Sequence, residues 1–249
     1  MKKVLVVANW KATPASSKEA LKFVLDLKKV KKKNQEVVIC PPSVFIDTVK
    51  KGGGVAFGAQ DVSIVDGGSF TGEVTASMLK SLGVRFCIVG HSERRKMGET
   101  SEAIGVKIKQ LLKNGIIPIV CIGESLRGSD GEHFKEITRL IQESLVSVPK
   151  KNVTSLVLAY EPLWAISTQM QGGIDPEALN ETILFIRKEL NDFLGAKIAS
   201  SIRIIYGGSV DQKNVTELLT QGGAEGLLIG KASQKIKTFQ KIIEKVNNL

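Results

Sequence analysis

Residues 159 to 168 read AYEPLWAIST, and their first two residues end the apolar run LVLAY at 156 to 160. The run ends in a carboxylate, Glu161, and the chain then turns at Pro162. A short Val- and Leu-rich run with no polar alternation reads as a strand buried on both faces, the kind found in parallel sheets. An acid at the C-terminal lip of such a strand sits where parallel barrels carry their chemistry, although a lone strand-end acid is more often a solvated or ion-paired residue.

Working outward, the same unit recurs along the whole chain. Apolar runs are VLVVA at 4 to 8, EVVIC at 36 to 40, VAFGA at 55 to 59, RFCIVG at 85 to 90, IIPIVCIG at 116 to 123, LVLAY, IRIIYG at 202 to 207 and GLLIG at 226 to 230. Between them lie amphipathic patterns, among them 17 to 30, 101 to 113, 132 to 148, 176 to 193 and 214 to 220. Asp175-Pro176-Glu177 marks one helix start, with a capping acid followed by proline in the first turn. Eight strand–helix units without hairpin spacing predict a closed eight-stranded parallel (β/α)8 barrel spanning 1–249 as a single domain. No Ser/Gly-rich or Pro-rich linker interrupts the 249 residues. An open doubly wound sheet would need an early phosphate fingerprint. Gly52-Gly53-Gly54 lacks the last glycine, with Phe57 in its place, and a P-loop at Gly230-Lys231 fails at Glu225 and Ala232.

The formal charge of +10 suits an anionic ligand, but the densest run, Lys28 to Lys33, follows a helix and reads as a solvated face. Aromatic residues make up 5% of the chain and none interleaves with that run, which argues against base stacking and so against a nucleic-acid partner. Cys40, Cys87 and Cys121 are odd in number and sit in apolar runs, so buried free thiols in a reducing, cytoplasmic setting are expected. The N-terminal apolar run is too short for a signal peptide, and no run reaches membrane-spanning length.

Closing the barrel brings the strand C-termini to one face and gathers Asn9, Lys11, His91, Glu161, Ser209 and Gly230 there. Asn9 and Lys11 are two residues apart, so an extended chain would point both toward the mouth. His91 precedes Ser92-Glu93-Arg94-Arg95, which reads as a helix start. There the helix dipole would keep the imidazole neutral and able to donate a proton to a carbonyl. His133, on a polar helical pattern, reads as surface. No His-x-x-x-His or cysteine pair offers a metal site, and neither Gly90-His-Ser-Glu-Arg94 nor Gly123-Glu-Ser-Leu-Arg127 completes a nucleophile elbow. Gly207-Gly208-Ser209 and Gly230 close the last two strands, where backbone N–H groups commonly cradle phosphate.

ANWK at 8 to 11, GAQDVS at 58 to 63, SFTGEVTASMLK at 69 to 80, VGHSERR at 89 to 95, VCIGE at 120 to 124, AYEPLWAI at 159 to 166 and YGGSV at 206 to 210 occur in that order. Together they resemble the triosephosphate isomerase family over essentially the whole chain, and the implied fold is the TIM barrel. The resemblance implies an isomerase interconverting dihydroxyacetone phosphate and glyceraldehyde 3-phosphate, with Glu161 as base and His91 as the group that polarises the carbonyl. Lys11 and Asn9 would stabilise the enediolate, and Glu93 would organise the site from behind. Pro162 to Gln169 would form a lid. Substrate contacts would come from Asn9, Lys11, Ser167, Gly208, Ser209, Gly230 and Lys231, with neither metal nor organic cofactor. The loop around Thr71 would bury itself against a second subunit to make a homodimer. Other readings of the same residues are a barrel acting on another sugar phosphate, or an inactive barrel used for binding.

Against the family pattern, the lid reads Ile166-Ser167-Thr168-Gln169-Met170 in place of Ile-Gly-Thr-Gly-Lys, and Gly230-Lys231 stands where two glycines are usual. Ala12 replaces a methionine after the lysine, and the stretch from Arg95 to Glu99 is one residue short. The Lys231 ammonium is expected to point into solvent.

Overall fold

In the computed structural model, which describes residues 3–128, 131–166 and 173–249, eight parallel strands close into a barrel in sequence order. They are β1 (Val4–Asn9), β2 (Gln35–Cys40), β3 (Ala56–Ala59), β4 (Phe86–Val89), β5 (Ile117–Ile122), β6 (Val157–Tyr160), β7 (Arg203–Tyr206) and β8 (Gly226–Ile229). Each lies within one or two residues of the run that predicts it. The closing seam pairs β1 with β8, from Leu5 opposite Gly226 to Ala8 opposite Ile229. An open sheet is thereby excluded, and with it exposed strand edges.

Period-two alternation divides the strand side chains between two cores. Leu5, Val7, Val38, Phe86, Ile88, Ile119, Ile205 and Leu228 fill the barrel interior. Val6, Ala8, Val37, Ile39, Val89, Leu158, Ile204 and Ile229 face outward and pack against the helices. Both sets are buried, which is why the strands read as unbroken apolar runs.

The main helices are α1 (Ser17–Lys28), α2 (Ile46–Gly52), α3 (Ala76–Leu82), α4 (Ser101–Lys113), α5 (Glu132–Leu145), α6 (Pro176–Leu194), α7 (Val215–Thr220) and α8 (Ile236–Asn247). Their starts are chemically marked: Asp175 accepts from the N–H groups of Glu177 and Ala178 at 2.8 and 3.4 Å, with Pro176 in the first turn. Helix α8 buries Phe239, Ile242, Ile243 and Val246, one stripe of a 3.6-residue period, and leaves its lysines outside.

His133 departs from the expectation of a surface residue. It is only 8% exposed, and it lies on the α5 stripe that also buries Ile137, Leu140, Ile141 and Ser144. Its ring stacks 4.1 Å from Phe134, which in turn meets Phe185 of α6 at 4.3 Å. The polar residues around His133 belong to the other face of α5, so helical phase decides its burial. Local polarity does not.

Cys40, Cys87 and Cys121 are free and buried, as their apolar runs predict. Burial pushes all three thiols well above their ordinary value, Cys40 and Cys121 in the barrel interior and Cys87 in the outer core against the helices. Since thiolate is the reactive form, the native chain is expected to resist a thiol reagent at neutral pH and to label at all three cysteines once unfolded; a titration with such a reagent before and after denaturant checks this.

Candidate active site

The C-terminal ends of β1, β4 and β6 bring Asn9, His91 and Glu161 to one mouth. Asn9, Lys11, His91 and Glu93 line a cleft of about 1050 Å³ that runs outward past Gln60, Asp61 and Met97.

Lys11 reaches this cleft by a turn. An extended chain does not carry it there. Asn9 is the last residue of β1, and Lys11 has φ of 54°, the one non-glycine residue at positive φ among those described. Such a backbone is strained for a side chain with a Cβ, and its neighbours hold it in place. The Asn9 Oδ1 accepts the Lys11 N–H at 3.1 Å, and Gln60 Nε2 donates to the Lys11 carbonyl at 2.8 Å and to the Cys40 carbonyl at 2.9 Å. The expectation that Asn9 and Lys11 point together because the strand continues is corrected here: the asparagine side chain itself folds the lysine back. Gln60 belongs to this support and was not among the predicted site residues. The polar residue closing GAQ at the end of β3 was the available signal.

Lys11 Nζ pairs with Glu93 Oε1 at 2.5 Å. Burial works upward on the Glu93 carboxyl, but the Lys11 hydrogen bond and charge outweigh it and hold the group below its ordinary value. The Glu93 side chain is 56% exposed and shares the cleft lining with Lys11.

His91 caps a short helix, Ser92–Lys96, as the Ser-Glu-Arg-Arg segment predicts. The Glu93 N–H donates to His91 Nδ1 at 3.2 Å, so that nitrogen carries the lone pair and the ring proton is assigned to Nε2. Nε2 faces Glu161 Oε1 at 3.3 Å. A single backbone hydrogen bond thus fixes both the tautomer and the direction of the donor.

Glu161 is 2% exposed. Its other oxygen accepts the Ser92 N–H at 3.4 Å. Burial raises its carboxyl above the ordinary value, and the opposing pull of His91, Ser92, Cys121 and Lys11 is too weak to cancel that. Two glycines make room for it. A Cβ on Gly207 would lie 2.6 Å from Glu161 Cγ, and a Cβ on Gly123 would lie 2.0 Å from the Glu161 carbonyl oxygen. Both glycines end strands that flank β6, where a polar residue crowds the barrel lip.

Toward the last two strands, Ser209 Oγ donates to the Ala165 carbonyl at 2.8 Å and so ties the end of β7 to the helical turn Leu163–Ile166 that opens the predicted lid. Trp164 Nε1 and Tyr160 Oη both donate to the buried Glu124 carboxylate, at 2.7 and 2.9 Å. Gly208 lies against the Tyr206 hydroxyl, and Gly230 lies against the stem of Lys11, whose Cε would be 3.2 Å from an added Cβ. Lys231 begins a 3-10 turn, Lys231–Gln234, and its φ is not positive. Its side chain is exposed, as expected, with no ion pair or hydrogen bond among the described residues. Ser167, Thr168, Gln169 and Met170 lie outside the described residues.

Comparison with known proteins agrees with this arrangement. A family model described as Triosephosphate isomerase matches residues 4–246. The chain is similar to the triosephosphate isomerase of Thermoanaerobacter pseudethanolicus, 38% identical over 98% of this chain and 99% of the relative, and to that of Alkaliphilus oremlandii, 39% identical over the same shares. It is likewise similar to the triosephosphate isomerase of Dictyoglomus thermophilum, 38% identical over 98% of this chain and all of the relative. A closed eight-stranded barrel, a buried strand-end glutamate facing a histidine, and a match from the first strand to the last helix lead to one conclusion: this chain belongs to the triosephosphate isomerase family.

Proposed function

We propose that the chain, as one barrel domain over 1–249, interconverts dihydroxyacetone phosphate and glyceraldehyde 3-phosphate by moving a proton between adjacent carbons. The observation that carries the reading is His91 held with Nδ1 as acceptor and Nε2 directed at the buried Glu161. Glu161 takes the proton from the carbon beside the substrate carbonyl; its burial makes it a stronger base than an exposed carboxylate. The negative charge that develops on the carbonyl oxygen is met by His91 Nε2–H, by the Lys11 ammonium and by the Asn9 amide. His91 then hands its proton to one oxygen and recovers one from the other, while Glu161 returns its proton to the neighbouring carbon, so the enzyme ends unchanged. Glu93 holds Lys11 and the His91 tautomer together through its side chain and its N–H. A coupled assay on glyceraldehyde 3-phosphate tests this; absence of turnover with intact fold would leave a binding barrel or another sugar phosphate.

Phosphate is assigned to the nest formed by Gly208, Ser209 and Gly230, with Ser167 from the lid and Lys11 alongside. Lys231 adds a cation at its rim. The ammonium is exposed and unpartnered, so Lys231→Gly is expected to change KM by only about threefold, within the range of a screened surface charge. A rise of tenfold or more that shrinks with added salt would assign Lys231 to the phosphate itself.

A homodimer fits the same site. Phe70, Thr71 and Gly72 are exposed, and a cleft of about 1050 Å³ opens beside Lys11. Sedimentation at micromolar concentration is expected to give twice the chain mass of 26.9 kDa, and a fully active monomer there would refute the need for a partner. Among the described residues no helix is long and apolar enough to cross a membrane, and the buried thiols suit a cytoplasmic location.

A further inference from the structure

The outer face of α8 carries Lys237, Lys241 and Lys245 at successive four-residue steps, all three exposed. Elsewhere on this protein several helical cations meet an acid one turn away. Lys22 pairs with Asp26 at 3.0 Å, Lys51 with Asp47 at 2.7 Å, Arg139 with Glu143 at 3.2 Å and Lys188 with Asp192 at 2.8 Å. The three lysines of α8 have only one another at that spacing, and no ion pair joins them to an acid among the described residues, although Glu244 lies on the same helix. Like charges one turn apart destabilise a helix, so the stripe opposes the folding of the element that carries it.

Two further segments extend the stripe. At its upper end Lys213, from the loop after β7, joins Lys237, Lys241 and Thr238 around a cleft of about 180 Å³. One acid lies there, Asp211, whose Oδ1 accepts the N–H groups of Lys213 and Asn214 at 2.6 and 3.1 Å, so one carboxylate stands among three lysines. At the lower end Asn247 accepts the Lys33 N–H at 2.9 Å and donates to the Lys31 carbonyl at 2.7 Å, pinning the basic turn after α1 against the end of α8. Lys32 turns inward to the carbonyls of Leu27 and Val30, while Lys31 and Lys33 stay exposed.

We propose that this ridge binds linear inorganic polyphosphate, seated in the cleft of Lys213, Lys237 and Lys241 and running along α8 toward Lys31 and Lys33. From Lys237 to Lys245 alone the line covers about 12 Å at the rise of an α-helix, so a ligand with many linked charges gains from all of it where a single phosphate gains from one or two. The ridge has no arginine to grip a phosphate in a fork and no exposed aromatic to stack a base; Phe239, the aromatic residue of α8, is fully buried. Lysine point charges without either device select for charge density, which favours polyphosphate over nucleic acid.

The test is calorimetric titration of the full chain with polyphosphate over a range of salt. Neutralising the six lysines of the ridge predicts that log K falls with log salt at a slope of about −4. K237Q/K241Q is expected to weaken binding about tenfold at low salt and to flatten that slope by about 1.4. Unchanged isomerase turnover would show that this variant is folded. K51Q/K188Q removes the same net charge from paired sites and is expected to leave affinity within about twofold. Equal losses in the two variants would reduce the effect to net charge and overturn the ridge. So would a parent chain that shows no heat of binding at low salt, or tighter binding of a single-stranded RNA of equal charge.

Discussion

Glu161→Gln is expected to lower kcat by about a thousandfold while the barrel stays folded, since a positioned base contributes roughly that much. The amide keeps the shape of the side chain and can still accept from the Ser92 N–H, but it cannot take a proton from carbon. Two pH effects accompany the loss. In the parent chain burial lifts the Glu161 carboxyl above its ordinary value, so the acid limb of kcat/KM is expected at a higher pH than an exposed carboxylate would give. Stability moves the opposite way. The folded chain holds this proton more tightly than the unfolded chain does, and as pH rises through the folded value the barrel must carry a buried charge and loses stability. The variant has no such charge, so it is expected to melt above the parent at neutral pH, with the gap closing below the ordinary carboxylate range. Steady-state kinetics and melting curves from acid to neutral pH check both; normal turnover would sink the assignment of the base, and an equal or lower Tm at neutral pH would sink the burial argument.

Gly123→Ala is expected to cost about 3 kcal/mol of stability, at the upper end for overpacking. The new methyl would sit 2.0 Å from the Glu161 carbonyl oxygen and 2.4 Å from its carbon, both backbone atoms that no rotamer change can move. Gly123 does not adopt positive φ, so the collision alone sets the effect. To relieve it β5 and β6 must part at their upper ends, where Ile122 pairs with Tyr160 and the Glu161 N–H donates to the Ile122 carbonyl at 2.7 Å. A loss of that size lowers Tm by about 6 to 12 °C in a chain of this length. Because the shifted backbone carries Glu161, kcat is expected to fall in the fraction that remains folded. A variant with parental Tm and parental kcat would show that the barrel lip is more compliant than this contact allows.

The positions of the strands and the identity of the chemistry-bearing residues were legible in the chain itself. Strands buried on both faces must be apolar at every position, so β1 to β8 stand out as runs, and a polar residue ending such a run, as Asn9, His91 and Glu161 do, has few places to be other than the mouth. Helices α2, α3 and α8 were less visible, the first two because seven residues give barely two turns of periodicity. His133 differs from its expectation for a related reason: burial follows which face of the helix packs inward, and α5 meets α6 through Phe134 and Phe185, a contact that local polarity does not show.

What only tertiary structure decided are the relations between residues distant in sequence. The positive φ of Lys11 depends on Gln60, the tautomer of His91 on the N–H that a helix start happens to aim at it, and the raised carboxyl of Glu161 on the walls that exclude water. Gly123 and Gly207 matter because closing the barrel brings β5 and β7 against β6, a proximity that no local pattern encodes. Residue type and hydrophobic period are properties of the chain and survive in its sequence. Strain, protonation and steric room arise from contacts, and they exist only once the eight strands have closed.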